Sequence, residues 1–92
     1  MRSGSLALKF VKARQDDYRL AVVVSKKVSK FAVTRNRIRR RLYEAVRIMQ
    51  AEKGTPLPYD IILSVFDDSP KSMSSTELKN QVQTLFKRAG LY

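Results

Sequence analysis

Neither cysteine nor histidine occurs anywhere in the 92 residues. Without cysteine there is no disulfide, no thiolate nucleophile and no thiolate metal site, and a reducing compartment is permitted. Without histidine the chain lacks the commonest general base and the commonest transition-metal ligand. No apolar run reaches the roughly 20 residues that cross a bilayer. The opening MRSGSLALKF has no apolar core of a signal peptide. A soluble, cytoplasmic protein with no membrane contact is the expectation. There is no glycine-rich phosphate loop and no acid/base pair that would let the protein cleave a substrate alone. The adjacent acids Asp16–Asp17 and Asp67–Asp68 sit in polar, turn-like stretches and read as solvated turn carboxylates rather than metal ligands. Ser25 and Lys26 are neighbours on an extended segment, so they face opposite ways and make a poor nucleophile–base pair.

What is abundant is positive charge. Lys+Arg number 19 against 8 Asp+Glu, a net charge of +11. The excess is concentrated in SKKVSKFAVTRNRIRRRLYEAVR, from Ser25 to Arg47. That stretch holds Lys26, Lys27, Lys30, Arg35, Arg37, Arg39, Arg40, Arg41 and Arg47 against the single acid Glu44, or +8 of the whole +11. A passive surface would intersperse the two signs. A domain with this imbalance repels itself and attracts polyanions.

The length fits one domain, residues 1–92, with a modest core. SLALKFVK (Ser5 to Lys12) alternates with period two and predicts a strand. ARQDD reads as a turn, and YRLAVVVS (Tyr18 to Ser25) as a second strand, paired with the first in an antiparallel hairpin. Ile38, Leu42, Ala45, Val46 and Met49 share one side of a helix expected from about Arg35 to about Ala51, with Thr34 as its N-cap. EKGTPLP is a loop. YDIILSVF (Tyr59 to Phe66) predicts a third strand, buried on both faces over part of its length. A second long helix follows, with a Ser74/Glu77 capping box, a stripe of Leu78, Val82, Leu85 and Phe86, cations Lys87 and Arg88 in the last turn, and Gly90 as the stop. The class is α+β: a small sheet with two helices.

On the first helix, Asn36, Arg40 and Arg47 fall opposite the apolar stripe with Tyr43 close by. Arg37 and Arg39 flank them, and Arg41 lies toward the far edge. Helix N-termini favour acids by a few tenths to about 1 kcal/mol each, yet here the first turns are filled with arginine. A bound phosphate chain removes that conflict, because free N–H groups and the helix dipole favour anions at this end. Arginine adds a planar fork that grips phosphate and stacks on bases. A disordered tail or a sorting signal would have no need of the five-member apolar stripe running through the same residues. Of the aromatics, Phe86 belongs to the core stripe, while Phe10 and Phe66 stand open between core packing and base stacking.

The same stretch resembles the signature of the bacterial ribonuclease P protein family: Ser25-Lys26-Lys27, then Ala32-Val33, then Arg35-Asn36-Arg37, Ile38 and Arg39-Arg40-Arg41. YDIILSV stands where that family has its later buried strand, and SSTELKNQVQTLFKRAGLY where it has its last helix. The resemblance runs from about Leu6 to the end. It implies the protein subunit of a ribonucleoprotein endonuclease, which binds a catalytic RNA and the 5′ leader of precursor tRNA. It implies Mg2+ held mainly by the RNA, and no catalytic residue on the protein. By position, Lys26, Lys27, Arg35, Asn36, Arg37, Arg39 and Arg40 become RNA contacts, and the charge pattern adds Lys30, Arg41 and Arg47. Lys9, Phe10 and Arg19 become leader contacts. No obligate protein partner is implied. General rules favour a right-handed β–α–β crossover. The resemblance implies a mainly antiparallel sheet with a left-handed one, and we follow it.

Two departures stand out. The family usually has a helix ahead of the first strand, whereas only Met1 to Gly4 precede it here, so that helix is expected to be missing. Asp67-Asp68 stand where a basic residue is frequent, and they would repel phosphate. The residues alone leave three other readings open: a structural or ribosomal RNA-binding protein without a role in cleavage, a helix that enters a DNA major groove, and a self-sufficient enzyme.

Overall fold

The computed structural model describes residues 2–91, so Met1 and Tyr92, the ends of the expected domain, lie outside the described residues. Its strands are β1 (Arg2–Ser3), β2 (Leu6–Lys12), β3 (Arg19–Val24) and β4 (Tyr59–Val65), and its helices α1 (Ala32–Lys53) and α2 (Ser75–Arg88). A short 3-10 turn, Ser69–Lys71, precedes α2. The sheet order is β1-β2-β4-β3. β2 runs antiparallel to β4, and β3 runs parallel to β4 through the crossover that contains α1. The sheet is thus mixed and mainly antiparallel, with two helices packed together on it, the α+β class expected.

β2 and β3 do not form the expected hairpin; β4 lies between them. The connector explains why. Ala13 to Tyr18 is longer than a two-residue hairpin turn and has no Gly or Asn to take the positive φ such turns require. Two strand spacings, about 10 Å, separate β2 from β3, a gap this connector spans with ease. It is also stitched to the segment entering β4: Ala13 N–H donates to the Pro58 carbonyl (2.8 Å) and Leu57 N–H to that of Asp16 (3.2 Å).

The period-two pattern decides what faces the helices. Leu6 and Leu8 of β2, Val22 and Val24 of β3, and Ile61, Leu63 and Val65 of β4 are all buried. They pack with the five α1 residues Ile38, Leu42, Ala45, Val46 and Met49 and the four α2 residues Leu78, Val82, Leu85 and Phe86. Each fully buried aliphatic or aromatic side chain contributes about 1.5–3 kcal/mol. The other face of β4 is open, contrary to the two-sided burial expected: Ile62 is 44% exposed. Both helices lie on one side, so only one face of the apolar run is covered.

α1 begins three residues earlier than expected. Phe31 is its N-cap, without a side-chain hydrogen bond, and Thr34 sits inside the first turn. Ser29 takes part of the cap role from the loop, its Oγ accepting from Phe31 N–H (3.2 Å). The helix ends at Gly54, whose φ of 68° suits the left-handed cap and whose N–H reaches the Gln50 carbonyl. In α2 the Ser74 cap is present, its Oγ accepting from Glu77 N–H (3.1 Å). Its C-terminus closes as a Schellman motif: Leu91 N–H donates to Phe86 and Gly90 N–H to Lys87.

Candidate nucleic-acid interface

A β-turn closed by Val28 N–H and the Ser25 carbonyl (3.0 Å) carries Lys26 and Lys27 at its exposed corner. The turn leads from the end of β3 to the start of α1, which places these lysines beside the first turns of the helix. No acid lies in the first turn of α1. The buried stripe then orients the rest: with Ile38 and Leu42 fully covered, Asn36, Arg37, Arg40 and Arg47 point outward.

The cations divide by what they touch. Among the described residues Lys26, Lys27, Arg37 and Arg40 are exposed, and their side chains make no hydrogen bond or ion pair within the chain. Lys30 is also exposed and lies 5.3 Å over the Phe31 ring. Arg35 donates to the Ser29 carbonyl (2.8 Å), which braces the loop against the helix. Arg39 donates to Asn36 Oδ1 (2.6 Å) and to the Val24 carbonyl (3.4 Å). Arg47 pairs with Glu44 one turn away, through Nε (3.1 Å) and a second, shorter contact. That hydrogen bond, more than the charge behind it, holds the Glu44 carboxyl below its ordinary range and raises the Arg47 guanidinium.

Arg41 is drawn into the scaffold. Its guanidinium donates to the Pro70 and Lys71 carbonyls (2.8 Å each) and to that of Met73. It ties α1 to the turn ahead of α2, so much of its donor capacity is engaged within the chain. The reason is geometric: on the edge of the helix face it meets a neighbouring turn whose carbonyls have no helical partner. The clasp brings forward a residue the sequence did not single out. Lys71 joins Arg37, Arg40, Ser72 and Ser75 around an open groove between α1 and the turn. No local pattern marks Lys71, because tertiary contact alone puts it there. The acids of this turn are partly neutralised: Asp68 pairs with Lys71 (2.9 Å), and Asp67 Oδ1 accepts from Ser69 N–H (2.9 Å).

Tyr43 also escaped notice beyond its place on the polar face. Its hydroxyl accepts from the Val22 N–H of β3 (3.3 Å). With Arg39 on the Val24 carbonyl, it covers the free edge of the outermost strand, which would otherwise offer unpaired backbone groups.

The three residues expected to meet a leader line one open groove, although strand alternation puts the Phe10 side chain on the opposite face from the other two. Lys9 pairs across the sheet with Ile62, and Arg19 with Asp60, both on the outer face. Phe10 pairs with Ile61 on the helix side, 38% exposed, its ring edge-on to Tyr59 at 5.5 Å. Arg19 grips Asp60 with two bonds of 2.8 and 2.7 Å, and Gln15 adds a third to the same carboxylate. The Arg19 hydrogen bonds are the main cause that pulls the Asp60 carboxyl below its ordinary range. Phe66 is half exposed and Phe86 fully buried.

The comparisons bear on the family and the fold. The family model described as Ribonuclease P matches residues 1–90. A protein of Clostridium kluyveri named ribonuclease P protein component is 40% identical over 83 residues, covering 86% of this chain and 69% of its own. One of the same name from Clostridioides difficile is 36% identical over 86 residues, covering 94% and 73%. The solved structure of the Staphylococcus aureus RNase P protein superposes with a TM-score of 0.74 at 26% identity, covering 99% of this chain and 81% of that one.

Proposed function

The chain belongs to the ribonuclease P protein family, and from that premise we propose that it is the protein subunit of a ribonuclease P ribonucleoprotein that matures the 5′ ends of tRNA. The observation that carries the reading is the set Lys26, Lys27, Arg37 and Arg40: exposed, free of internal carboxylates and held on a helix whose other side is locked in the core. Such a surface gains little from its own protein and much from a phosphate chain. Arg35 and Arg39 support it by fixing the loop and the helix start. Asn36 and Lys30 lie on the same exposed side.

In this reading the chain neutralises backbone charge of the catalytic RNA and positions it. The precursor tRNA leader runs along the outer sheet face, where Lys9 is exposed and Val11 and Ile62 offer apolar contact. Phe10 faces away from that path, and Arg19 already holds Asp60. Mg2+ held mainly by the RNA would supply the activation of the attacking water, and no residue of this chain is assigned to hold it. Among the described residues no three His, Cys, Asp or Glu side chains converge to hold a metal. No helix among the described residues is long and apolar enough to cross a membrane, and we place the particle in the cytoplasm, with its RNA.

The test adds the purified chain to ribonuclease P RNA and precursor tRNA at low magnesium. A marked gain in correct 5′ cleavage over RNA alone is expected, and protein without RNA should cleave nothing. An unchanged rate would remove the reading in favour of a purely structural RNA-binding role.

A further inference from the structure

We propose that the outer face of α1 carries a slot for one unstacked RNA base, built on Tyr43. The proposal rests on the RNA-binding reading above and names a ligand for part of that surface.

Val33, Asn36, Arg40 and Tyr43 succeed one another at spacings of three, four and three residues, which puts them in one stripe along the helix. With Arg39 they line a shallow groove of about 430 Å3. Its apolar part is exposed: Val33 at 79% and Tyr43 at 42%. No carboxylate lines it. The Tyr43 ring is anchored at its far end, because its hydroxyl holds the Val22 N–H of β3. A ring already fixed in place loses little freedom when something stacks on it.

The chemistry around the ring selects the occupant. Arg39 and Arg40 supply guanidinium planes and charge, which suits a base still attached to its phosphates. Asn36 Oδ1 is engaged by Arg39, so its NH2 group is what remains to read an edge. A site made of donors favours the carbonyl oxygens of uracil or guanine. A base inside a duplex is stacked on both sides and cannot enter, whereas an unpaired base stacks readily on an aromatic ring.

Binding of the full chain to a uridine octamer, and to an abasic ribose-phosphate octamer with the same number of phosphates, tests the slot at low salt. Base-on-aromatic stacking leads us to expect about tenfold tighter binding of the uridine octamer. Tyr43→Leu should cut that preference several-fold and leave abasic binding unchanged, while Tyr43→Phe keeps most of it; a folded Tyr43→Leu with the full preference overturns the slot. Should Tyr43→Leu fail to fold, 4-thiouridine crosslinking to the wild-type chain decides the matter: adducts on Tyr43 or Val33 support the slot, and adducts only elsewhere overturn it. Equal, steeply salt-dependent binding of both octamers by the wild type would overturn the slot and leave the RNA-binding reading standing. Weak, salt-independent binding of both would overturn the two together.

Discussion

On the outer face of the sheet, Arg19 lies in a two-pronged bond with Asp60, and its neighbours Val11, Ala21 and Ile62 are apolar. On the outer face of α1, Arg37 and Arg40 stand near Asn36 and Tyr43 and form no ion pair, the nearby Glu44 being held by Arg47. Both surfaces are exposed and both carry arginine. One is neutralised by its own chain, the other is not. Sequence proximity to a cationic cluster therefore says less than where the nearest carboxylate ends up. Arg19 and Asp60 lie 41 positions apart and meet only because β3 and β4 pair in parallel.

The contrast can be broken by substitution. Arg37→Ala with Arg40→Ala should lower affinity for folded RNA by at least about 100-fold at low salt, since each charge-assisted phosphate contact is worth about 1.5–3 kcal/mol. Circular dichroism and thermal melting should be unchanged. Arg19→Ala should alter RNA affinity only a few-fold; an equal loss from both faces would erase the distinction.

Arg41→Ala asks whether a cation inside the basic run is structural. The loss of three carbonyl partners should cost about 1–3 kcal/mol in urea unfolding, with RNA affinity per folded molecule falling far less than for the double variant. A fall in affinity without a fall in stability would make Arg41 an RNA contact first and a brace second.

The salt dependence should differ in the same sense. With about 5–8 phosphates engaged, log affinity should fall with log salt at a slope of several units, and removing Arg37 and Arg40 should lower that slope by about 2. The smallest effect concerns acid. Because the Asp60 carboxyl is held below its ordinary range in the folded state, its pairing stabilises the protein above the usual carboxylate pKa. That contribution fades as the pH falls through the depressed value. Asp60→Asn should therefore flatten acid unfolding slightly, as melting temperatures across the acid range would show.

Both helix stripes were legible from the chain, residue for residue, because burial on a helix follows a 3.6 period that a linear sequence displays. The Ser74 cap was equally local. The strand order was not legible. Pairing of β2 with β3 or with β4 depends on which strand fits between them, and alternation looks the same either way. Phe10 could be placed on the same side as Leu8, but its edge-on contact with Tyr59 waited for β4 to be set beside it.

The amino-acid order by itself determined where the positive charge is and which side of α1 turns inward, since both follow from composition and periodicity along a single helix. Only the tertiary structure decided which of those cations remain free. A guanidinium's partners are carbonyls and carboxylates delivered from distant segments, as Pro70, Lys71 and Met73 are delivered to Arg41. Those meetings exist only once the core has packed.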